Sequence, residues 1–296
     1  DMNAELLRAL ASTAAGKVGG ARPTVLAVPA GFDDGQTAAL LEAAALAGLE
    51  VAGTLPEPVA ALLACRTAAG GAAAAGAQEA PLLPGLGAGA PVAVVDVGGR
   101  QATVSVVAAG DHAPTDPDDR RGEAGRLVGT ATCLATGGEH LDAALVEDLV
   151  RHFRATVADV DFSQDGLALQ RLYEAAEIAK IELSRGAASE INLPYLTADA
   201  SGPKHLVRGL GRPEWERIAG PVLDRALPLC ERALNSSNVS KSELQAVILV
   251  GGCSRIPRVQ AMAKEWFGLD PVIPINSEEI TVIGAAMEAR RLVLGS

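Results

Sequence analysis

The sequence predicts an α/β protein, and three observations carry that expectation. Short apolar runs such as TVLAVP, VAVVD and AVILV alternate with longer stretches of helical spacing. Two of those runs end directly in glycine pairs, in VVDVGG and ILVGGC. The 296 residues, 49% of them apolar, are enough for a sizeable core in one large domain or two lobes.

Taken in order, residues 3–17 place Leu6, Leu7, Leu10 and Ala14 near helical spacing. Residues 24–29 read as a short buried strand ending in proline. Asp33 and Asp34 then stand where helix caps belong, before a helix over 37–49 that Gly48 closes. The stretch Leu55-Pro56-Glu57-Pro58 breaks the chain, and Pro58 suits the first turn of a helix running to Cys65. Residues 67–91 are low in complexity and rich in Gly, Ala and Pro, which predicts a flexible insertion or linker. Residues 92–99 and 102–110 then read as a strand hairpin. Asp111 to Arg126 reads as a charged loop. Gly137-Gly138 precedes a helix striped by Leu141, Leu145, Leu149 and Val150. Helices are expected over 167–185, 213–234 and 279–294, and from Pro257 onward. EINLPYL reads as a strand, TADASGPKH as a turn-rich connector and AVILV as a buried strand.

The formal charge of −11 with no basic stripe disfavours a nucleic-acid partner. No run of about 18 strongly apolar residues predicts a membrane span. The first residues carry no cleavable apolar segment, so no secretory leader is expected. Cys65, Cys133, Cys230 and Cys253 lack CxxC spacing, which argues for reduced thiols rather than a zinc site or disulfide framework.

The glycine pairs of VVDVGG, ATGGEH and ILVGGC form the main chemical signal. Glycine allows positive φ and close backbone approach, and N–H groups at a helix start can hold phosphate oxygens. One pair alone fits a plain tight turn. Three pairs, two of them directly after apolar strands, point to a nucleotide cleft. Asp96, before its glycines, suits either a turn cap or the water shell of Mg²⁺. Glu177, Lys180, Ile181 and Ser184 recur at spacings of three and four on one helix. Such a ridge suits either the ribose and base of a nucleoside or a solvated ion pair.

These pieces, in this order, resemble the ATPase domain of the 70-kDa heat-shock chaperones, closest to the DnaK type. LPEPVAALLA resembles the crossover motif between lobes, and VVDVGGRQATVSVV the second phosphate-binding hairpin. TGGEHLDAALV resembles the Gly-Gly-Glu-Asp segment, and EAAEIAKIELS the adenosine helix. INLPYLTADASGPKH is similar to a DnaK-type strand and connector, VILVGGCSRIPRVQ to the second adenosine motif, and INSEEITVIGAAMEA to the final helix. The resemblance is collinear along the chain.

It implies an actin-like (ribonuclease H-like) ATPase fold that binds ATP or ADP with Mg²⁺. Glu57 and Asp96 are implied as catalytic carboxylates, with Asp96 on the metal side through water. Gly98, Gly99, Gly138, Glu139, Glu177, Lys180, Ser184, Gly251, Gly252, Arg255 and Glu278 are implied around the nucleotide, with Arg255 stacking near the base. Pro29 matches a proline that relays nucleotide state. The implied organisation is a remnant of lobe I with the crossover helix (1–66), the insertion (67–91), lobe II (92–278) and a C-terminal helix returning toward lobe I (279–296). One complete lobe plus a remnant of the first is the expectation, because no Gly-Thr-Thr phosphate loop with its following catalytic lysine occurs in these residues. The expected partners are therefore a missing N-terminal lobe or another protein, with a J-domain co-chaperone and a nucleotide exchange factor as in the family. The DnaK flavour implies a mitochondrion, a plastid or bacterial cytoplasm, and no secretion.

The sequence departs from the family at several points. Arg100, Gln101 and Thr103 replace a glycine, a threonine and an aspartate of the second phosphate loop. Arg100 could still attract phosphate by charge, but its Cβ would resist positive φ. His140 replaces an aspartate, and Gly31 and Thr37 replace a tyrosine and an arginine. Impaired hydrolysis is the expectation. The alternative is a non-hydrolysing structural or interaction subunit. A sugar kinase of the same superfold is a more distant reading, since fold does not fix function.

Overall fold

Strand β3 (Pro91–Val97) lies at the centre of the molecule and explains most of its layout. The computed structural model describes residues 2–19, 23–66, 82–83, 85–110, 124–163 and 165–294. β3 pairs antiparallel with β4 (Ala102–Ala109), which pairs antiparallel with β5 (Gly125–Cys133). On its other side β3 pairs in parallel with β8 (Ala246–Val250), giving a mixed sheet of order β5-β4-β3-β8. Two smaller sheets flank it: β1 (Thr24–Val28) parallel to β2 (Val51–Pro56), and β6 (Ala188–Asp199) antiparallel to β7 (Gly202–Gly211).

The period of two along a strand assigns each face of the sheet. Ala93, Val95 and Val97 of β3, with Val104, Val106, Val247 and Leu249, enter the larger core. There they meet α4 (Gly138–Thr156), α5 (Gly166–Arg185), α6 (Arg212–Leu223), α7 (Leu227–Ser237) and α8 (Pro257–Phe267). Val92, Val94, Val107, Ile248 and Val250 enter a second core with α3 (Glu57–Arg66) and α9 (Ile280–Leu294). A helical pair, α1 (Met2–Val18) and α2 (Asp34–Leu46), completes the chain. Asp33 caps α2 in a reciprocal box with Gln36. α3 and α9 cross backbone to backbone, because a Cβ on Gly284 would fall inside the main chain of Ala60.

Several expectations need correction. β2 was not expected. It survives Pro56 because that residue is its last, where a missing N–H costs little. β5 replaces the end of the expected charged loop. Its Gly129 admits α7, whose Ala233 carbonyl and Ser236 side chain would lie 2.6 and 2.7 Å from a Cβ there. The expected connector 197–205 is mostly strand, forming the β6–β7 hairpin around a bulge between Leu193 and Thr197. The single helix expected over 213–234 is two, joined by a 3₁₀ turn at Asp224–Ala226, with Pro228 in the first turn of α7. Helix α2 starts and stops earlier than expected, and Gly48 takes φ +78° just beyond it. Residues 67–81 and 84 of the expected insertion and 111–123 of the expected loop lie outside the described residues, while Pro91 already belongs to β3.

Candidate functional site

The glycine turns converge because the sheet brings them there. β3 and β8 are parallel, so both end on the same edge, at Gly98-Gly99 and Gly251-Gly252. The N-terminus of α4 then docks on the β3–β4 turn. Gly138 N–H donates to the Gly98 carbonyl (2.9 Å), and Glu139 N–H donates to that of Gly99 (2.7 Å). Gly137 makes the docking possible, since a Cβ there would lie 2.6–2.7 Å from the backbone of Gly99, Arg100 and Gln101. Gly251 has φ +82°, and its Cβ would lie 2.5 Å from both the Asp96 carboxylate and the Val97 carbonyl. Its missing side chain thus admits strand β3.

Together these turns, α5 and the segment after α8 enclose a cleft of about 440 Å³, within the size range of small-molecule sites. Gly98, Gly99, Gly138, Glu177, Lys180, Ser184, Gly252, Arg255 and Glu278 all line it, joined by Ile181, Arg185, Cys253 and Ile256. Glu278 is placed by its neighbour Ser277, whose carbonyl accepts from Gly251 N–H (2.9 Å). Glu278 pairs with Arg255 at 3.3 Å.

Several expected roles are altered by local bonding. Lys180 is held by Asp142 at 2.6 Å and by the Gly138 carbonyl at 3.3 Å, with its side chain 12% and that of Asp142 10% exposed. It braces α5 against α4 at the cleft wall. The first N–H groups of α4 are spent on the hairpin, so they do not offer the anion site that the sequence suggested. Glu139 and Gly251 stand outside the cleft lining. Glu139 instead reaches Arg100 at 3.4 Å. Ser184 returns its hydroxyl to the Ile181 carbonyl (2.7 Å).

Asp142 escaped the sequence reading. The available signal was an acid set inside the apolar stripe of α4, beside Leu141 and Leu145, where only a buried partner can satisfy it. Burial raises the pKa of its carboxyl, and Lys180 opposes that shift. Cys253 also escaped as a site residue. Its Sγ lies 3.7 Å from the Gly98 carbonyl, and burial pushes its thiol up to about 11.

Glu57 and Asp96 occupy a different, smaller space. Asp96, Thr103, Ser105 and Val250 all project from the α3 face of the sheet, and Glu57 is the first residue of α3. With Ala30, Pro58 and Thr281 they enclose about 10 Å³, room for about one water. Burial, then the nearby Asp96 charge, raises Glu57 to about 7, and burial raises Asp96 to about 6. Asp96 Oδ1 is buried without a hydrogen-bond partner. Behind it, Thr103 bonds Thr132 (3.1 Å) and Ser105 bonds Thr130 (3.0 Å), a hydroxyl ladder across β4 and β5. A Cβ on Gly31 would lie 3.3 Å from Thr132 Oγ1, so the turn after Pro29 packs close to this ladder.

The residues fit a nucleotide with magnesium on two counts. The cleft is of suitable size and mixed polarity. The orphan Asp96 oxygen suits a hydrated Mg²⁺, which keeps its waters and touches few carboxylates. Among the described residues, no cluster of three or more His, Cys, Asp or Glu side chains stands ready to hold a metal ion, and no helix is long and apolar enough to cross a membrane. In comparison with known protein families, a family model described as Hsp70 protein matches residues 1–294.

Proposed function

The chain belongs to the Hsp70 protein family, and from that premise we propose that it is a divergent, DnaK-type ATPase domain that binds adenine nucleotide well and hydrolyses it poorly. The family carries the actin-like ATPase fold, binds ATP and ADP with Mg²⁺, and works with co-chaperones. The single observation behind the proposal is the convergence of Glu177, Ser184, Gly252, Arg255 and Glu278 with the Gly98-Gly99 turn around one cleft.

In this reading Glu177, Ser184 and Arg255 face ribose and base, and Glu278 holds Arg255 in place. Lys180 keeps the wall rigid. Gly98, Gly99 and Gly138 face the phosphates, and Gly251 sets the turn. Asp96 would hold Mg²⁺ through its water shell, and Glu57 would serve the attacking water. The ion neutralises phosphate charge when bound. Phosphoryl transfer depends on positioning and charge stabilisation, and Gln101 and Thr103 replace groups that the family's loop supplies there. Residues 1–66 and 279–296 belong to the first-lobe side and 92–278 to the second lobe. A J-domain protein and an exchange factor are the matching partners, in a mitochondrion, plastid or bacterial cytoplasm.

A second reading, a non-hydrolysing interaction subunit, is favoured by Lys180 and Arg255 being engaged by Asp142 and Glu278 without any ligand. Calorimetric titration with adenosine, ADP and ATP, each with Mg²⁺, separates the two. Nucleotide binding with steady-state hydrolysis well below that of an intact family member is expected. Glu177→Gln should weaken adenosine and ADP alike, by about 3–10-fold, for a charged hydrogen bond. No binding of any of the three would remove the nucleotide reading. Full hydrolysis would remove the claim of impairment.

A further inference from the structure

We propose that Arg100 is the phosphate-selecting side chain of the cleft, held in waiting by Glu139. The proposal rests on the nucleotide reading and deepens it.

The other cations near the phosphate side are engaged. Lys180 is bound by Asp142 and the Gly138 carbonyl, and Arg255 by Glu278 and the Ile275 carbonyl. Arg185 lines the cleft five residues along α5 from Lys180, about 7.5 Å of helix rise away. The helix start gives no free donor either, since Gly138 and Glu139 N–H groups bond the hairpin. Beyond the charge a bound ion supplies, a polyphosphate arriving at Gly98-Gly99 would draw on a further side-chain cation.

Arg100 is that cation. It follows Gly99, which lines the cleft and whose missing Cβ faces open space. Its backbone is unstrained: among the described residues the non-glycine positions with positive φ are Tyr195 and Asn238. The side chain is 85% exposed and meets Glu139 through Nε alone, at 3.4 Å. Both terminal nitrogens are left to donate elsewhere. An exposed pair of this kind is weak. A phosphate can accept two parallel N–H bonds from a guanidinium, a stronger arrangement. Binding of a nucleoside di- or triphosphate thus exchanges Glu139 for phosphate at Arg100. Adenosine, without phosphate, leaves the pair intact.

The test is titration of the wild-type chain, Arg100→Gln and Glu139→Gln with adenosine and with ADP at two salt concentrations. Both positions are exposed, so the variants should fold. Arg100→Gln should weaken ADP by about 3–10-fold, leave adenosine unchanged and flatten the salt dependence. Glu139→Gln should tighten ADP by about 2–3-fold, because the competing anion is gone. Equal affinities of the wild type for adenosine and ADP, or equal losses for both in Arg100→Gln, would overturn the Arg100 proposal and leave the nucleotide reading standing. Binding of neither ligand by the wild type would bring both down.

Discussion

Two polar spaces share strand β3, and they are built on opposite principles. On one side, past Gly98 and Gly99, lies a cleft of about 440 Å³ walled by ion pairs. On the other, Asp96 and Glu57 face a chamber of about 10 Å³ with no cation among its lining residues. In the wide space Lys180 and Arg255 are each met by a carboxylate, Asp142 and Glu278. The narrow one has unbalanced acids, so it must hold protons or receive a cation. The difference teaches that size and charge separate the two spaces, one wide enough for a small molecule and the other with room for about one water.

The largest effect should come from Gly251, which packs against Asp96 of the chamber and precedes Gly252 of the cleft. Gly251→Ala places a methyl against Asp96 and Val97 at a positive φ. It should cost about 3 kcal/mol or more in a denaturant titration and disturb both spaces together. A loss below about 1 kcal/mol would show that the two spaces are not joined through this contact.

Next in size is Lys180→Met, which acts on the cleft wall alone. It leaves Asp142 buried without its partner and should cost about 3 kcal/mol at pH 8. Lys180→Met with Asp142→Leu should recover part of that loss, because neither charge is then stranded. A single variant as stable as the wild type would mean that Lys180 is free to serve a ligand.

The smallest effect concerns the chamber. Asp96 is raised to about 6 in the fold and Glu57 to about 7, so the folded state favours their protonated forms. That stabilisation is complete below the unfolded carboxylate range near pH 4 and is lost as pH rises through 6 and 7. Asp96→Asn should flatten the decline and stabilise the protein at pH 8 by on the order of 1–2 kcal/mol, with little change at pH 4. Unfolding midpoints measured across that range check it, and an unchanged slope would mean that the chamber is well hydrated.

The glycine pairs and the ridge on α5 were legible in the sequence because each is local. Strand β3, read from VAVVDVGG, fell within a residue or two of its observed ends. What was hidden depends on distant partners. Asp142 and Lys180 stand 38 residues apart, and nothing local in either marks the pair. Strand β5 was obscured by Gly129, Thr130 and Thr132, whose fitness for a strand lies in the hydroxyl ladder and the close approach of α7. The doubling of the 213–234 helix depends on a 3₁₀ turn that helical periodicity does not register. Arg100 looked like a conformational fault in the sequence, and its ordinary backbone removes that objection.

The bare crossing of Gly284 on Ala60 has a mechanical consequence. Two helices whose backbones touch have no side-chain cushion in which to take up slack. The two helices therefore cannot approach further at this point. The first residue of α3 is Glu57, so one arm of the joint begins with a carboxylate. The contact thus ties the position of α9 to the end of the chamber where Glu57 faces Asp96.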